Sequence, residues 1–276
     1  MAAEGKLTAA GRTDTGRKRP HNEDAIEVVI KDGLMVLADG MGGYSAGEIA
    51  SQIAVDTIVH TVQNASPMER GDRLLQEAIA KANRAILDKA KENPEREGMG
   101  TTIVVCLFRR GRVTIAHVGD SRVYRLRRSR LERLTTDHSL TQELLERGYY
   151  TRMEARQASN RHVITRALGI NRQVDATINE EPVAEGDLFL LCSDGLTDMM
   201  DDHSIRYALD KKDQPLEEMA TGLVRRANDL GGRDNISVIL ARAGRGSDRD
   251  ETASPLATLR EGLKRLLGRE KHPSGS

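Results

Sequence analysis

The sequence predicts an α+β fold in which largely antiparallel sheets carry helices on their outer faces. Seven apolar segments rich in β-branched residues are typical of strands, and most are uninterrupted at their centres, as in strands covered on both faces. Two helical segments follow one another before three strands arrive with short connections, so the strict strand–helix alternation of a parallel sheet is missing. The predicted strands lie at 25–30, 34–38, 102–108, 113–118, 122–126, 188–192 and 236–241.

Three longer segments carry apolar residues at helical spacing. They lie at 46–62, 70–91 and 215–229. Pro94 ends the second segment, and Pro215 stands in the first turn of the third, where proline is favoured. A shorter helix is predicted to begin at Ser139, because Ser139 and Gln142 have the spacing of a capping box, and Gly148 closes it.

The segments divide the chain into one domain and a tail. The domain is predicted over 1–242, and its least periodic stretch, 149–181, is interpreted as a flap with a short helix near its start. Gly, Ser, Arg and Asp dominate 243–255, which is typical of a linker. The tail, 256–276, has leucines at the spacing of a short amphipathic helix and more basic than acidic residues.

Composition excludes several functional classes. The 276 residues include 42 Lys and Arg against 42 Asp and Glu, and a net charge of zero argues against a nucleic-acid binder. No segment approaches the roughly 18 apolar residues of a membrane span, and no apolar run follows the first residues. We therefore expect a cytoplasmic protein without stable membrane insertion. Cys106 and Cys192 lie in apolar runs and match no thiolate metal site.

Five aspartates stand at or beside the ends of predicted strands. They are Asp24, Asp39, Asp120, Asp194 and Asp234. Each alone is better explained as a turn residue, since Asp-Gly turns are common and Asp often bonds its own backbone. If the five converge, their charges need a cation, and oxygen ligands without paired Cys or His favour Mg²⁺ or Mn²⁺. Two such ions about 3.5–4 Å apart bridge a hydroxide and clamp a phosphoryl group.

Two further residues fit a phosphoryl substrate. Gly40 has no Cβ, so its backbone can approach a metal ion. Arg19 precedes Asp24 by five residues, and a guanidinium matches phosphate with two parallel hydrogen bonds. By itself the second signal is weak, because Arg17, Lys18 and Arg19 are also typical of a solvated basic run.

An ordered series of motifs resembles the bacterial metal-dependent protein phosphatases of the protein phosphatase 2C family. It covers about residues 5 to 242, and its motifs stand in the family's order. They are Arg19-Pro20-His21-Asn22-Glu23-Asp24, Asp39-Gly40-Met41-Gly42-Gly43, Gly98-Met99-Gly100-Thr101-Thr102, Val118-Gly119-Asp120-Ser121-Arg122, Asp137-His138-Ser139, Thr165-Arg166-Ala167-Leu168-Gly169, Ser193-Asp194-Gly195-Leu196 and Arg233-Asp234-Asn235.

The resemblance implies a fold, a reaction and a cofactor. The fold is a four-layer α-β-β-α sandwich with two central antiparallel sheets and a flap, 149–181, beside the metal site. The reaction is hydrolysis of phosphoserine and phosphothreonine in proteins by a metal-bridged hydroxide, with two Mn²⁺ or Mg²⁺ ions and a possible third. The expected partners are phosphorylated proteins and a cognate bacterial-type serine/threonine kinase.

The resemblance also implies the roles of individual residues. Asp39 bridges both metals, the Gly40 carbonyl binds one of them, and Asp194 and Asp234 complete the other. Asp120 holds a weaker third ion together with Asp194. Asp24, hydrogen-bonded to water on the metals, and Asn235 lie just outside the ligand set, and Arg19 grips the phosphate.

One position departs from the family. Eukaryotic members often carry His where this chain has Met41, and that His has been considered a general acid. Met cannot donate a proton, so protonation of the leaving group comes from metal-bound water or another residue. His21 and His138 lie within motifs, but neither is assigned this role.

Two alternatives stay open from the sequence. A non-catalytic module could bind phosphoproteins on the same scaffold, although the complete acidic set argues against it. A phosphatase of small phosphorylated metabolites could use the same residues.

Overall fold

The described residues form two antiparallel sheets stacked face to face, with helices on both outer faces. The computed structural model describes residues 7–42, 46–158, 160, 162–211 and 214–244. The strands are β1 (Leu7–Asp14), β2 (Asp24–Val29), β3 (Leu34–Met41), β4 (Gly100–Thr101), β5 (Ile103–Arg109), β6 (Arg112–Val118), β7 (Arg122–Arg127), β8 (Arg130–Arg133), β9 (Thr177–Pro182), β10 (Leu188–Cys192) and β11 (Ile236–Ala243). The helices are α1 (Ala46–Gln63), α2 (Gly71–Lys91), α3 (Leu140–Glu146), α4 (Arg152–Gln157), α5 (Asp194–Thr197), α6 (Asp202–Leu209) and α7 (Leu216–Asp229).

The strand orders confirm the predicted α-β-β-α sandwich. One sheet has the order β1-β11-β10-β7-β8 and the other β2-β3-β5-β6-β9, with β4 paired to β3. Helices α1 and α2 pack on the second sheet, and α6 and α7 pack on the first. A third apolar cluster fills the space between the two sheets. Among the described helices, none is both long enough and apolar enough to cross a membrane.

Strand β3 shows why an uninterrupted apolar segment suits this architecture. Its alternate residues point to opposite faces. Leu34 and Val36 pack in the cluster shared with α1 and α2, whereas Met35 and Leu37 pack between the sheets. Both faces of the strand are thus buried, so no polar alternation is required.

The sequence prediction misses three edge strands, the two-residue strand β4, the one-turn helix α5 and helix α6. Strands β1, β8 and β9 each lie at the edge of a sheet, where one side has no neighbour and polar residues are tolerated. Strand β9, Thr177–Pro182, consists of TINEEP, which has a single large apolar residue. It occupies the end of the stretch interpreted as a flap, so that part belongs to the sheet. Helix α6 begins at an Asp201 cap that the prediction overlooked.

The segment between β8 and β9 carries two short helices beside the sheets. Ser139 caps α3 by accepting a hydrogen bond from the Gln142 N–H, as its spacing predicts. Helix α4 lies where the short helix of the flap is predicted. Of the predicted linker and tail, only residues 243 and 244 are among the described residues.

Candidate active site

The site lies at one end of the sandwich, where the strand residues that point between the two sheets change from apolar to polar. In β3 the inward row runs Met35, Leu37 and then Asp39, because residues two apart share a face. The inward rows of four further strands change in the same way at the same end of the sandwich. The residues that continue the five rows are Asp24, Asp39, Thr102, Ser193 and Ser237. The site is therefore a polar extension of the core.

Asp24 and Asp39 face each other across β2 and β3, where they are paired in register. Ser193 from the opposite sheet donates a hydrogen bond to Asp24 Oδ2 at 3.0 Å. Asp24 Oδ1 is buried and has no hydrogen-bond partner among the described residues. Burial raises the pKa of Asp24 to about 6, against the lowering effect of the nearby Ser237 and Ser193 hydroxyl groups. Asp24 thus ties the two sheets together below the cluster.

Asp39 stands at the centre of the converging charges. Burial raises its pKa well above the usual range, and the carboxylates of Asp24, Asp194, Asp120 and Asp234 raise it further. Its backbone is fixed from the link between β4 and β5, because the Thr102 N–H donates to Asp39 O at 2.8 Å. Strand β3 continues to Met41, three residues past the predicted end, so Asp39 lies within the strand rather than after it.

Position 40 can hold only glycine. A Cβ at this position would lie 2.2 Å from the Gly47 carbonyl oxygen in α1 and 2.5 Å from the Glu23 carbonyl oxygen. Backbone atoms on two sides would block any side chain. The absence of a Cβ therefore lets β3 pass close to α1 beside Asp39.

Asp194 and Asp120 form a second side of the cluster. Asp194 begins α5, and burial and the Asp120 charge raise its pKa well above the usual range. Burial raises the pKa of Asp120 to about 6, and Asp137 adds to this effect. His162, Asp194 and Asp198 bring ligand atoms within 4.8 Å of one another, and His162 Nδ1 lies 3.3 Å from Asp198 Oδ2.

Arg19, Asp234 and Asn235 close the third side. Arg19 Nη2 donates to Asp234 Oδ2 at 2.7 Å, and the arginine side chain is 51% exposed. Asn235 joins the segments around it, since its Oδ1 accepts from the Glu23 N–H at 2.8 Å and its Nδ2 donates to the His21 carbonyl at 2.8 Å. The guanidinium therefore lies at the solvent-exposed edge of the acidic cluster.

All eight residues singled out from the sequence thus lie in or around one site. Their roles toward metal and phosphate remain predictions. Sequence reasoning missed Ser193, Asp198 and His162. The signal for Ser193 is the two-residue alternation of β10. Ser193 follows Leu191 by two residues, so its side chain points between the sheets as that of Leu191 does. Asp198 and His162 carry no comparable pattern, since the chain brings them together from separate segments.

His138, which stands in a motif, has a structural environment. Its Nδ1 accepts from the Gly119 N–H at 3.1 Å, so its Nε2 carries the proton and donates to Thr177 Oγ1 at 3.0 Å. The ring stacks on His117 with 4.7 Å between centroids. Burial and the His117 charge lower the pKa of His138 to about 4. His138 is therefore a neutral ring that fixes the backbone before Asp120.

Replacing His138 by Asn is expected to reduce the acid sensitivity of the fold. Between pH 6.5 and 4 the unfolded chain binds a proton at His138 that the folded chain does not, so stability falls as pH falls. An asparagine side chain binds no such proton. Urea midpoints of both proteins at pH 7.0 and 5.0 measure the effect. The wild type should lose more stability, and an equal loss in both would contradict the neutral ring.

The donor set fits hard divalent cations. The cluster offers carboxylate oxygens and the Gly40 backbone, a ligand type that Mg²⁺ and Mn²⁺ prefer. The unpartnered Asp24 Oδ1 provides a buried acceptor for water bound at the cluster. Burial first, and then the neighbouring carboxylates, raise the pKa of Asp39 and of Asp194 well above the usual range, so a cation would favour their charged forms.

Comparisons with known proteins agree with this geometry. The sequence model of protein phosphatase 2C matches residues 13–240. The chain is 37% identical over 240 residues to the serine/threonine phosphatase Stp of Listeria innocua, covering 85% of this chain and 95% of that protein. The crystal structure of the Mycobacterium tuberculosis serine/threonine phosphatase PstP/Ppp matches with a TM-score of 0.82 and 37% identity, covering 87% of this chain and 99% of that one.

A second solved structure bears on the metal. The catalytic domain of PstP in complex with two manganese ions matches with a TM-score of 0.78 and 37% identity, covering 86% of this chain and 98% of that one. The chain therefore belongs to the protein phosphatase 2C family and is an enzyme of that type, a protein serine/threonine phosphatase.

Proposed function

We propose that the acidic cluster is the catalytic centre at which the chain hydrolyses phosphoserine and phosphothreonine with two Mn²⁺ or Mg²⁺ ions. The observation that carries this is the convergence of carboxylates whose charges raise one another's pKa, with Arg19 at their rim. Carboxylates gathered in this way destabilise a protein unless cations bind between them. The manganese complex of PstP supports the choice of metal.

The residues named from the sequence are the ones that would hold these ions. Asp39 would be shared by two ions, the Gly40 carbonyl would contribute to one of them, and Asp194 and Asp234 would contribute to the other. Asp120 with Asp194 would hold a third, weaker ion, on the side where Asp198 and His162 lie. When bound, such ions neutralise the cluster and lower the pKa of water enough for it to attack phosphorus near neutral pH.

The chain's own residues bind and orient the substrate. Arg19 reaches the rim from the segment before β2, and its fork of N–H groups matches two phosphate oxygens as it matches a carboxylate. Its present partner, Asp234, lies in the cluster, so the phosphate docks directly beside the proposed ligands. Asp24 and Asn235 hold the sheets in place through Ser193 and the Glu23 backbone.

A phosphothreonine peptide assay tests the proposal. Hydrolysis is expected with Mn²⁺, is lost with a chelator and returns when Mn²⁺ is restored. Binding of metal and peptide without turnover would instead favour a non-catalytic module. Faster turnover of small phosphorylated metabolites than of phosphopeptides would favour the metabolite phosphatase.

Replacing Arg19 by Ala is expected to raise KM for phosphate esters about tenfold or more with a smaller change in kcat, because the phosphate loses a charge-assisted contact. Arg19→Lys keeps the charge but not the two parallel hydrogen bonds, so its KM should lie between those of the wild type and Arg19→Ala. Steady-state kinetics on an aryl phosphate measure both variants. An unchanged KM in Arg19→Ala would contradict the contact.

The wider setting is also proposed. We infer that the enzyme reverses a bacterial-type serine/threonine kinase and acts in the cytoplasm, and that 256–276 forms a tail outside the catalytic domain. Phosphoproteins as substrates agree with the names of the relatives. Truncation after Ala243 tests the tail, because activity on a phosphopeptide should persist without it.

A further inference from the structure

An exposed apolar patch lies beside Asp39 at the mouth of the acidic cluster. Met41 follows Asp39 by two residues in β3, so its side chain lies on the side of the sheet that carries the Asp39 carboxylate. Gly40, between them, faces α1 instead. Met41 is therefore the last member of the inward row that supplies Asp39, and it is partly exposed.

Ile170 meets Met41 from the neighbouring segment. Gly100 pairs with Met41 in the register of β3 and β4. A Cβ built on Gly100 would lie 2.7 Å from Met41 Cε and 3.0 Å from Ile170 Cδ1, so both side chains meet above this glycine. The Ile170 side chain is 46% exposed. Met41 and Ile170 together form what we call the apolar rim.

The backbone that carries Ile170 is held firmly. The Gly169 N–H donates to Asn83 Oδ1 at 2.7 Å, and Asn83 Nδ2 donates to the Asn171 carbonyl at 2.9 Å. Asn83 itself is 2% exposed. A buried amide thus fixes the residues on both sides of an exposed aliphatic side chain. Because this backbone is already fixed, it loses little further conformational entropy when Ile170 contacts a ligand.

We infer that the apolar rim binds an apolar side chain of the substrate polypeptide two residues from the phosphorylated one. The inference rests on the proposed function. Residues two apart in an extended chain point the same way and lie about 7 Å apart, in β3 as in a bound peptide. When the phosphorylated side chain enters at Asp39 and the peptide runs along β3, the second residue along the peptide reaches Met41 and Ile170. On the side of Asp194, the side chains that meet the cluster, His162 and Asp198, are polar.

Phosphothreonine peptides with Leu or Gln at each of the positions −2, −1, +1 and +2 test the inference. With Mn²⁺, the wild type should prefer Leu to Gln about tenfold in kcat/KM at one of the two outer positions. Ile170→Ser and Met41→Gln should each reduce this ratio to about twofold or less. Ile30→Ser is the matched control, because Ile30 is 48% exposed just beyond the end of β2 away from Asp24.

The outcomes separate the two proposals. Equal use of Leu and Gln by the wild type at both outer positions, or an undiminished ratio in Ile170→Ser, would overturn the apolar rim. Ile170→Ser alters only an exposed side chain, so it remains informative if Met41→Gln disturbs β3. A wild-type protein that hydrolyses none of the peptides would overturn the proposed function itself.

Discussion

Replacing Asp39 by Asn should abolish hydrolysis while making the metal-free protein more stable. The proposed bridging carboxylate is lost, so we expect kcat on an aryl phosphate to fall about a thousandfold or more. The Asn side chain has nearly the same shape, but it removes a buried charge that four neighbouring carboxylates repel. The melting temperature without metal should therefore rise by a few degrees.

The same substitution should weaken stabilisation by metal. Wild-type protein is expected to melt at a higher temperature when Mn²⁺ is added, because the cation binds the folded chain, and Asp39→Asn should show a much smaller increase. Asp88→Asn is the control, since Asp88 is an exposed helix residue paired with Lys91. Full activity in Asp39→Asn would refute the bridging role, and a lower metal-free melting temperature would refute the repulsion.

Replacing Gly195 by Ala should damage the site and the fold together. A Cβ at Gly195 would lie 1.9 Å from the Asn235 carbonyl oxygen, a rigid backbone atom. The clash forces α5 away from the start of β11 and so separates Asp194 from Asp234. We expect at least a hundredfold loss of kcat/KM and a free energy of unfolding lower by about 3 kcal/mol, typical of severe overpacking.

Gly222→Ala is the matched control for this steric effect. Gly222 lies inside α7, and a Cβ there would meet no atom within 4 Å. Alanine in a helix interior is favoured over glycine by up to about 1 kcal/mol, so this variant should be more stable and fully active. Urea unfolding and steady-state kinetics of both variants make the comparison. Normal activity and stability in Gly195→Ala would contradict the close approach of α5 and β11.

The central strands and long helices were predictable because burial on both faces leaves a strong pattern. Strand β10 was predicted with its observed bounds, Leu188–Cys192, because every residue in it is buried. The edge strand β9 was not, because its pairing partner lies about sixty residues away in β6 and its own residues are polar. Strand β9 therefore forms because it pairs with a distant segment, and its own residues carry no strand pattern.

The acidic site could be predicted in part for a related reason. Asp39 and Asp194 follow conspicuous apolar runs, so the end of each run marked them. Their convergence, however, depends on which strands pair and on the stacking of the sheets. Nothing in the residue type of Ser193 marks it, and it is the hydrogen bond to Asp24 that shows it between the sheets. The pairing of His162 with Asp198 joins two segments that no sequence spacing relates.

The two ends of the sandwich serve different purposes. The turns that join the strands at the end remote from Asp39 include Gly111 and Gly186, where a built Cβ would meet no atom within 4 Å. Exposed turns of this kind accept inserted residues more readily than packed elements do. A reporter or affinity handle grafted there would sit across the full length of the strands from the chemistry. The molecule can therefore be immobilised or labelled at that end while the active site stays accessible to substrate.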